Sequence, residues 1–199
     1  MASKTDIANR ALTKLGEDRI TDLLDDTERA RTLNSLYDIC RDAELRAHVW
    51  NFATKRTSLP RLVDVPAYGF AYQYQLPSDL VRLIQVNEWW YWRGGADFYG
   101  ANNAEYQVEG RLILTDYNAP LPIRYVASID DPGLYDALFV EAFACRLAME
   151  CCERLTQSNT KLQAVQQQYM MSIREAVRAD AVENPPQALP DESWMISRL

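Results

Sequence analysis

Hydrophobic positions along the chain follow two different periods, and the changes between them divide it. Ile7, Ala8, Ala11, Leu12 and Leu15 recur at three- and four-residue spacing, which predicts an amphipathic helix over 5–15. Ser3 or Thr5 stands ready to cap its start and Gly16 to end it. A second helix is predicted over 26–49, with Ala30, Leu33, Leu36, Tyr37, Cys40, Ala43 and Ala47 as its apolar stripe. Asp25, Asp26 and Glu28 sit at its start, where the helix dipole favours negative charge. Paired carboxylates can also bind metal or move protons, but this position is the ordinary place for capping acids.

From 52 to 126 the period shortens to two. Phe70, Tyr72, Tyr74 and Leu76 alternate with polar neighbours until Pro77, the pattern of a strand over 70–76. Further strands are expected over 80–86, 111–115 and 123–126. The glycines at 94, 95 and 100 and prolines at 60, 66, 77, 120 and 122 mark turns among them. Helical spacing then returns. Asp131 followed by Pro132 reads as the cap and first position of a third helix. Leu134, Leu138, Ala142, Cys145, Met149 and Cys152 form its main stripe, with Phe139, Phe143 and Leu147 alongside; a stripe that wide predicts the most buried helix. Ser158 caps a fourth helix over 159–182 that turns Leu162, Val165, Tyr169, Ile173 and Val177 inward.

The expected fold is therefore α+β and mainly α. Four main helices form an antiparallel bundle from residues 1–51 and 128–183, and residues 52–127 form an inserted small antiparallel β-sheet subdomain. Residues 184–199 make an extended C-terminal tail, kept open by prolines at 185, 186 and 190. Trp194, Met195 and Ile196 form an apolar knot near its end, followed by Arg198. A short tail cannot bury that knot alone, so docking is expected, either onto this subunit or onto a partner, the partner being favoured.

Composition narrows the function classes. The net charge is −7, which argues against a protein built to grip a nucleic-acid backbone, since that needs a basic surface. Residues 1–12 lack the basic stretch and apolar core of a signal peptide, and no apolar run reaches the roughly 18 residues a membrane helix needs. Cys40, Cys145, Cys151 and Cys152 fit no zinc spacing and read as free thiols of a protein folded in the cytosol. His48 is the single histidine, so no histidine metal cluster can form, and its place at a helix end suggests a structural role. No phosphate-binding glycine loop is present. No enzyme chemistry, metal or cofactor is expected. The densest aromatic run is Glu88-Trp-Trp-Tyr-Trp-Arg93. Trp89, Trp90 and Trp92 suit a protein interface; the alternative is a binding module that stacks them on glycan or nucleic acid.

One resemblance spans nearly the whole chain. Ala11-Leu-Thr-Lys-Leu-Gly-Glu17, Ile20-Thr-Asp-Leu23 and His48-Val-Trp-Asn-Phe-Ala-Thr-Lys-Arg56 are followed by Tyr72-Gln-Tyr-Gln-Leu-Pro-Ser-Asp-Leu80 with Arg82. The helix from Phe139 to Glu150, Thr156-Gln-Ser158 and the terminal Asp191-Glu-Ser-Trp-Met-Ile-Ser-Arg198 complete the series. In order and spacing it resembles bacteriophage head-to-tail adaptors, the tail tubular protein A family of short-tailed phages, and departs from them most over 89–109. The resemblance implies a virion protein, assembled as a ring, usually twelve-fold, between the portal protein and the tail nozzle protein. It implies that tail fibres attach nearby, that double-stranded DNA passes through without specific binding, and that no membrane or catalytic residue is involved. The helices would form the ring body and the C-terminal segment would reach toward the portal.

Overall fold

Local capping chemistry sets where the helices begin. In the computed structural model, which describes residues 2–87 and 106–183, helix α1 (Lys4–Leu15) starts with a reciprocal pair. Ser3 Oγ accepts from the Asp6 N–H at 3.0 Å, and the Asp6 carboxylate accepts from the Ser3 N–H at 3.0 Å. Gly16 ends the helix in the left-handed region, at φ +69°, so that its N–H can reach the last turn's carbonyls. The five apolar positions of the pattern are buried. The loop that follows is pinned by Asn9, whose amide holds both the N–H (2.8 Å) and the carbonyl (2.9 Å) of Ile20.

Helix α2 (Glu28–Ala47) is capped by the Thr27 hydroxyl and not by the acids around it. Asp25 closes the preceding turn by accepting from the N–H groups of Thr21 and Asp22. The inward stripe also differs from the expected one. Ala43 and Ala47 are exposed, while Arg41, Glu44 and Leu45 are buried in their stead. Phase decides this: the face of Ala30, Leu33, Tyr37 and Cys40 continues onto Glu44, and the alanines fall to the other side.

Helix α3 (Ala137–Thr156) begins later than Pro132. Asp131 caps a single 3-10 turn, Pro132–Leu134, and Asp136 caps the α-helix by accepting from Leu138 and Phe139 N–H. Leu134 belongs to that outlying turn and is 60% exposed, not part of the inward stripe. The rest of α3 is buried along most of its length, as its wide stripe predicts. Ser158 caps helix α4 (Asn159–Glu183), on which Val165, Ala176 and Asp180 are the buried residues. Within the helical unit α3 is central, with α1, α2 and α4 packed on it. Among the described residues no helix is long and apolar enough to cross a membrane.

The chain leaves the helical unit after Ala53 and returns at Ser128. In the second unit, the described residues between 54 and 127 form two three-stranded antiparallel sheets where one small sheet was expected. One sheet has β1 (Thr54–Leu59) and β3 (Leu80–Val86) on either side of β6 (Leu121–Ala127). The other has β2 (Tyr72–Gln75) and β4 (Tyr106–Glu109) on either side of β5 (Leu112–Thr115). The strand expected over 70–76 is shorter, Tyr72–Gln75, and the alternation holds at its end, where Tyr74 and Leu76 are buried and Gln75 is exposed; the Tyr74 hydroxyl donates to the Tyr117 carbonyl at 2.7 Å. Lys55 Nζ and the Tyr125 hydroxyl both reach Asp79, at 2.8 and 3.1 Å, tying all three strands of the first sheet together at its edge.

Candidate functional site

Two sets of residues carry the expected contacts: Trp89, Trp90 and Trp92 in the insertion, and Trp194, Met195, Ile196 and Arg198 in the tail. Both lie outside the described residues. The helical unit, by contrast, concentrates its chemistry in three partly buried polar nodes.

The first node follows α2. His48 Nε2 lies 3.2 Å from Asp180 Oδ2 on α4, and Asp180 Oδ1 accepts from the Asn51 N–H at 2.8 Å. The Asn51 side chain donates to the Asp180 carbonyl at 2.6 Å. A histidine–aspartate pair is two thirds of a nucleophilic triad. Here the carboxylate is spent on a backbone N–H and on the imidazole, which makes the pair a clasp between the end of α2 and the end of α4. Beside it Trp50 is buried, donating its indole N–H to the Glu44 carbonyl at 2.9 Å. Trp50, Phe52 and Tyr135 each pack on Phe139, with ring centroids 5.0, 5.0 and 5.2 Å away. Both Trp50 and Phe52 therefore serve the aromatic core around Phe139.

The second node is Arg41, its side chain 6% exposed. It donates to Asp38 (2.9 Å), Asp42 (3.0 Å), Asp130 (2.6 Å) and Ser128 Oγ (3.2 Å). Burial opposes its charge, but the Asp42 hydrogen bond and the charges of Asp42 and Asp38 outweigh that and hold its pKa above the ordinary value. The node ties the middle of α2 to the segment that re-enters the helical unit.

The third node joins three helices. Glu44 on α2 accepts from the Tyr169 hydroxyl of α4 at 2.7 Å, and Arg146 on α3 stands 3.8 Å away, also bonded to Glu150 at 3.1 Å. Glu44 Oε2 is buried with no hydrogen-bond partner. Burial raises the Glu44 pKa, against the opposing pull of Tyr169 and Arg146. Burial and the bond to Glu44 push the Tyr169 hydroxyl up to about 12.

The four thiols are free and buried. Burial pushes Cys40 up to about 11 and Cys151 up to about 12, so neither offers a thiolate near neutral pH. Among the described residues no group of three or more His, Cys, Asp and Glu is placed to hold a metal ion. The nodes are interhelical fasteners. The sequence reading gave His48 a structural role, but Arg41 and Glu44 escaped it because charged residues are normally read as a solvated face. The available signal was phase: both fall on the inward side of α2.

No family model matches the chain, and no curated protein matches it.

Proposed function

We propose that this chain is a head-to-tail adaptor of a short-tailed bacteriophage, a structural virion protein without catalytic activity. In this reading it folds in the host cytoplasm and joins a ring, twelve-fold in the usual case, between the portal protein and the tail nozzle protein. Fibres attach nearby, and the genome passes through without specific binding.

The observation that carries the reading is the ordered series of segments quoted above, from Ala11–Glu17 to Asp191–Arg198. What adds support is that several of these segments bear on the fold. Gly16 in the first is the left-handed helix end. Ile20 and Leu23 are both buried. His48, Trp50, Asn51 and Phe52 form the clasp and the aromatic core beside it. Residues with such duties cannot drift independently, so a shared order among them is harder to reach by chance than a shared surface motif.

The test is electron microscopy of the full chain mixed with its cognate portal. A ring of density added beneath the portal is expected. A portal that stays bare, with the chain folded and in excess, overturns the proposal.

A further inference from the structure

The sheet of β1, β6 and β3 has two faces of different composition. In antiparallel pairing, residues directly opposite one another share a face. Leu59 with Leu121, Thr57 with Ile123 and Lys55 with Tyr125 make one face, where Leu121, Ile123 and Tyr125 are buried. On the other face Arg56 stands directly opposite Arg124, and Gln85 of β3 flanks Arg124 from the far side. Ser58 follows two residues along β1, and Arg82 stands in the neighbouring row, opposite Val126. The three strands contain no acidic residue. Asp79, just before β3, is held by Lys55 and the Tyr125 hydroxyl, which belong to the first face.

Like charges directly opposite one another across a strand pair repel. Arg56 is exposed and Arg124 half-buried, and among the described residues neither is in an ion pair. Arg124 Nε is buried with no hydrogen-bond partner, so no protein acceptor claims that donor. An oxyanion seated between the two guanidinium groups would relieve the repulsion, since each group is a planar fork that matches the oxygens of a phosphate or carboxylate. The rest of the face decides between these two. None of the exposed large apolar residues lies on β1, β3 or β6. The centre of a protein contact is enriched in apolar and aromatic side chains. Guanidinium and hydroxyl donors without them are the set that holds the phosphate oxygens of a nucleic acid.

We infer that this face, with Arg56 and Arg124 at its centre, is a contact for the phosphate backbone of double-stranded DNA. Phosphate contacts position a duplex and carry no sequence information, and a patch of so few charges holds weakly enough for DNA to slide. The net charge of −7 suits so limited a contact, because it opposes broad adhesion while leaving a local one. The choice of duplex DNA as the source of the phosphates rests on the adaptor reading; the site rests on strand register and composition alone.

The test titrates a short fluorescein-labelled DNA duplex with the full chain and follows its anisotropy as NaCl rises from about 20 to about 200 mM. Binding that ignores the duplex sequence is expected, and a two-phosphate contact should lose about 60-fold in affinity over that rise. Arg56→Gln and Arg124→Gln should each reduce the slope of log affinity against log salt by about one. Arg56→Gln should also melt no lower than wild type, because it removes a repulsion, so its loss of binding is not a loss of fold. No binding at the lowest salt, wild-type affinity and slope in Arg56→Gln, or a lower melt for that variant overturns the contact. So does polyglutamate that displaces the duplex as well as unlabelled duplex does, which would assign the face to an acidic protein segment. Portal microscopy separates the two ideas. A ring formed by a chain that does not bind DNA sinks this site and leaves the adaptor reading standing, and DNA binding beside a bare portal does the reverse.

Discussion

Glu44 is the residue where burial and charge conflict most. One oxygen is satisfied by Tyr169, the other has no partner, and Arg146 at 3.8 Å only partly offsets the loss of water. A buried acceptor left unpaired costs about 1–3 kcal/mol, more when it is charged. The folded pKa is raised above the ordinary 4.5. The folded state therefore holds the proton more tightly than the unfolded chain does. Stability from this group is fully present below the unfolded value and is lost as pH rises through the folded one. Glu44→Gln keeps an acceptor for Tyr169 and cannot ionise. Denaturant melts at a series of pH values should show the variant gaining on wild type as pH climbs from below 4.5 toward neutrality. A constant difference between the two across that range would mean that the Glu44 pKa is the same in the folded and unfolded chain.

Capping separates the observed elements from those the sequence pattern proposes. Asp131-Pro132 carries the strongest helix-start signal in the chain, yet it opens one 3-10 turn, and Asp136 receives the first N–H groups of α3. Asp136→Ala should therefore destabilise the protein by about 1 kcal/mol, the usual worth of an N-cap, while Asp131→Ala should cost less. Thermal melts of the two variants decide it, and equal losses would return the helix start to Asp131. The same physics explains what the pattern misses elsewhere. β1 reads Thr-Lys-Arg-Thr-Ser-Leu, with no apolar alternation, and is an edge strand that pairs with β6 alone. β4 is exposed at all four positions, so nothing in its composition needed to point inward. Strands 80–86, 111–115 and 123–126 were legible because each puts apolar side chains on a packed face. The mainly helical α+β class was legible for that reason too: period 3.6 persists wherever a helix covers α3. Of the three nodes, His48 could be read. Arg41 and Glu44 required knowing the phase of α2, which the exposed Ala43 and Ala47 disguise in the sequence.

At the scale of the molecule, charge is unevenly shared. Residues 54–127 carry equal numbers of acidic and basic side chains, so the acidic excess belongs to the helical segments and the tail. On the adaptor reading that excess suits a channel wall from which DNA must slide, because like charge opposes adhesion. Attachment must then come from somewhere other than general electrostatic attraction, and the tail carries the chemistry for it. After Glu183 the sequence carries prolines at 185, 186 and 190 and then the apolar run Trp194, Met195 and Ile196. Among the described residues, the capped helices and the three nodes of the helical unit close on one another. On the docking reading, removing residues 185–199 should leave the melting temperature and circular dichroism of the full chain nearly unchanged. The same deletion should abolish co-sedimentation with the portal, and Trp194→Ala with Ile196→Ala should reproduce most of that loss by removing the apolar anchors alone. Undiminished attachment by the truncated chain would refute tail docking and would shift the portal contact onto the folded units.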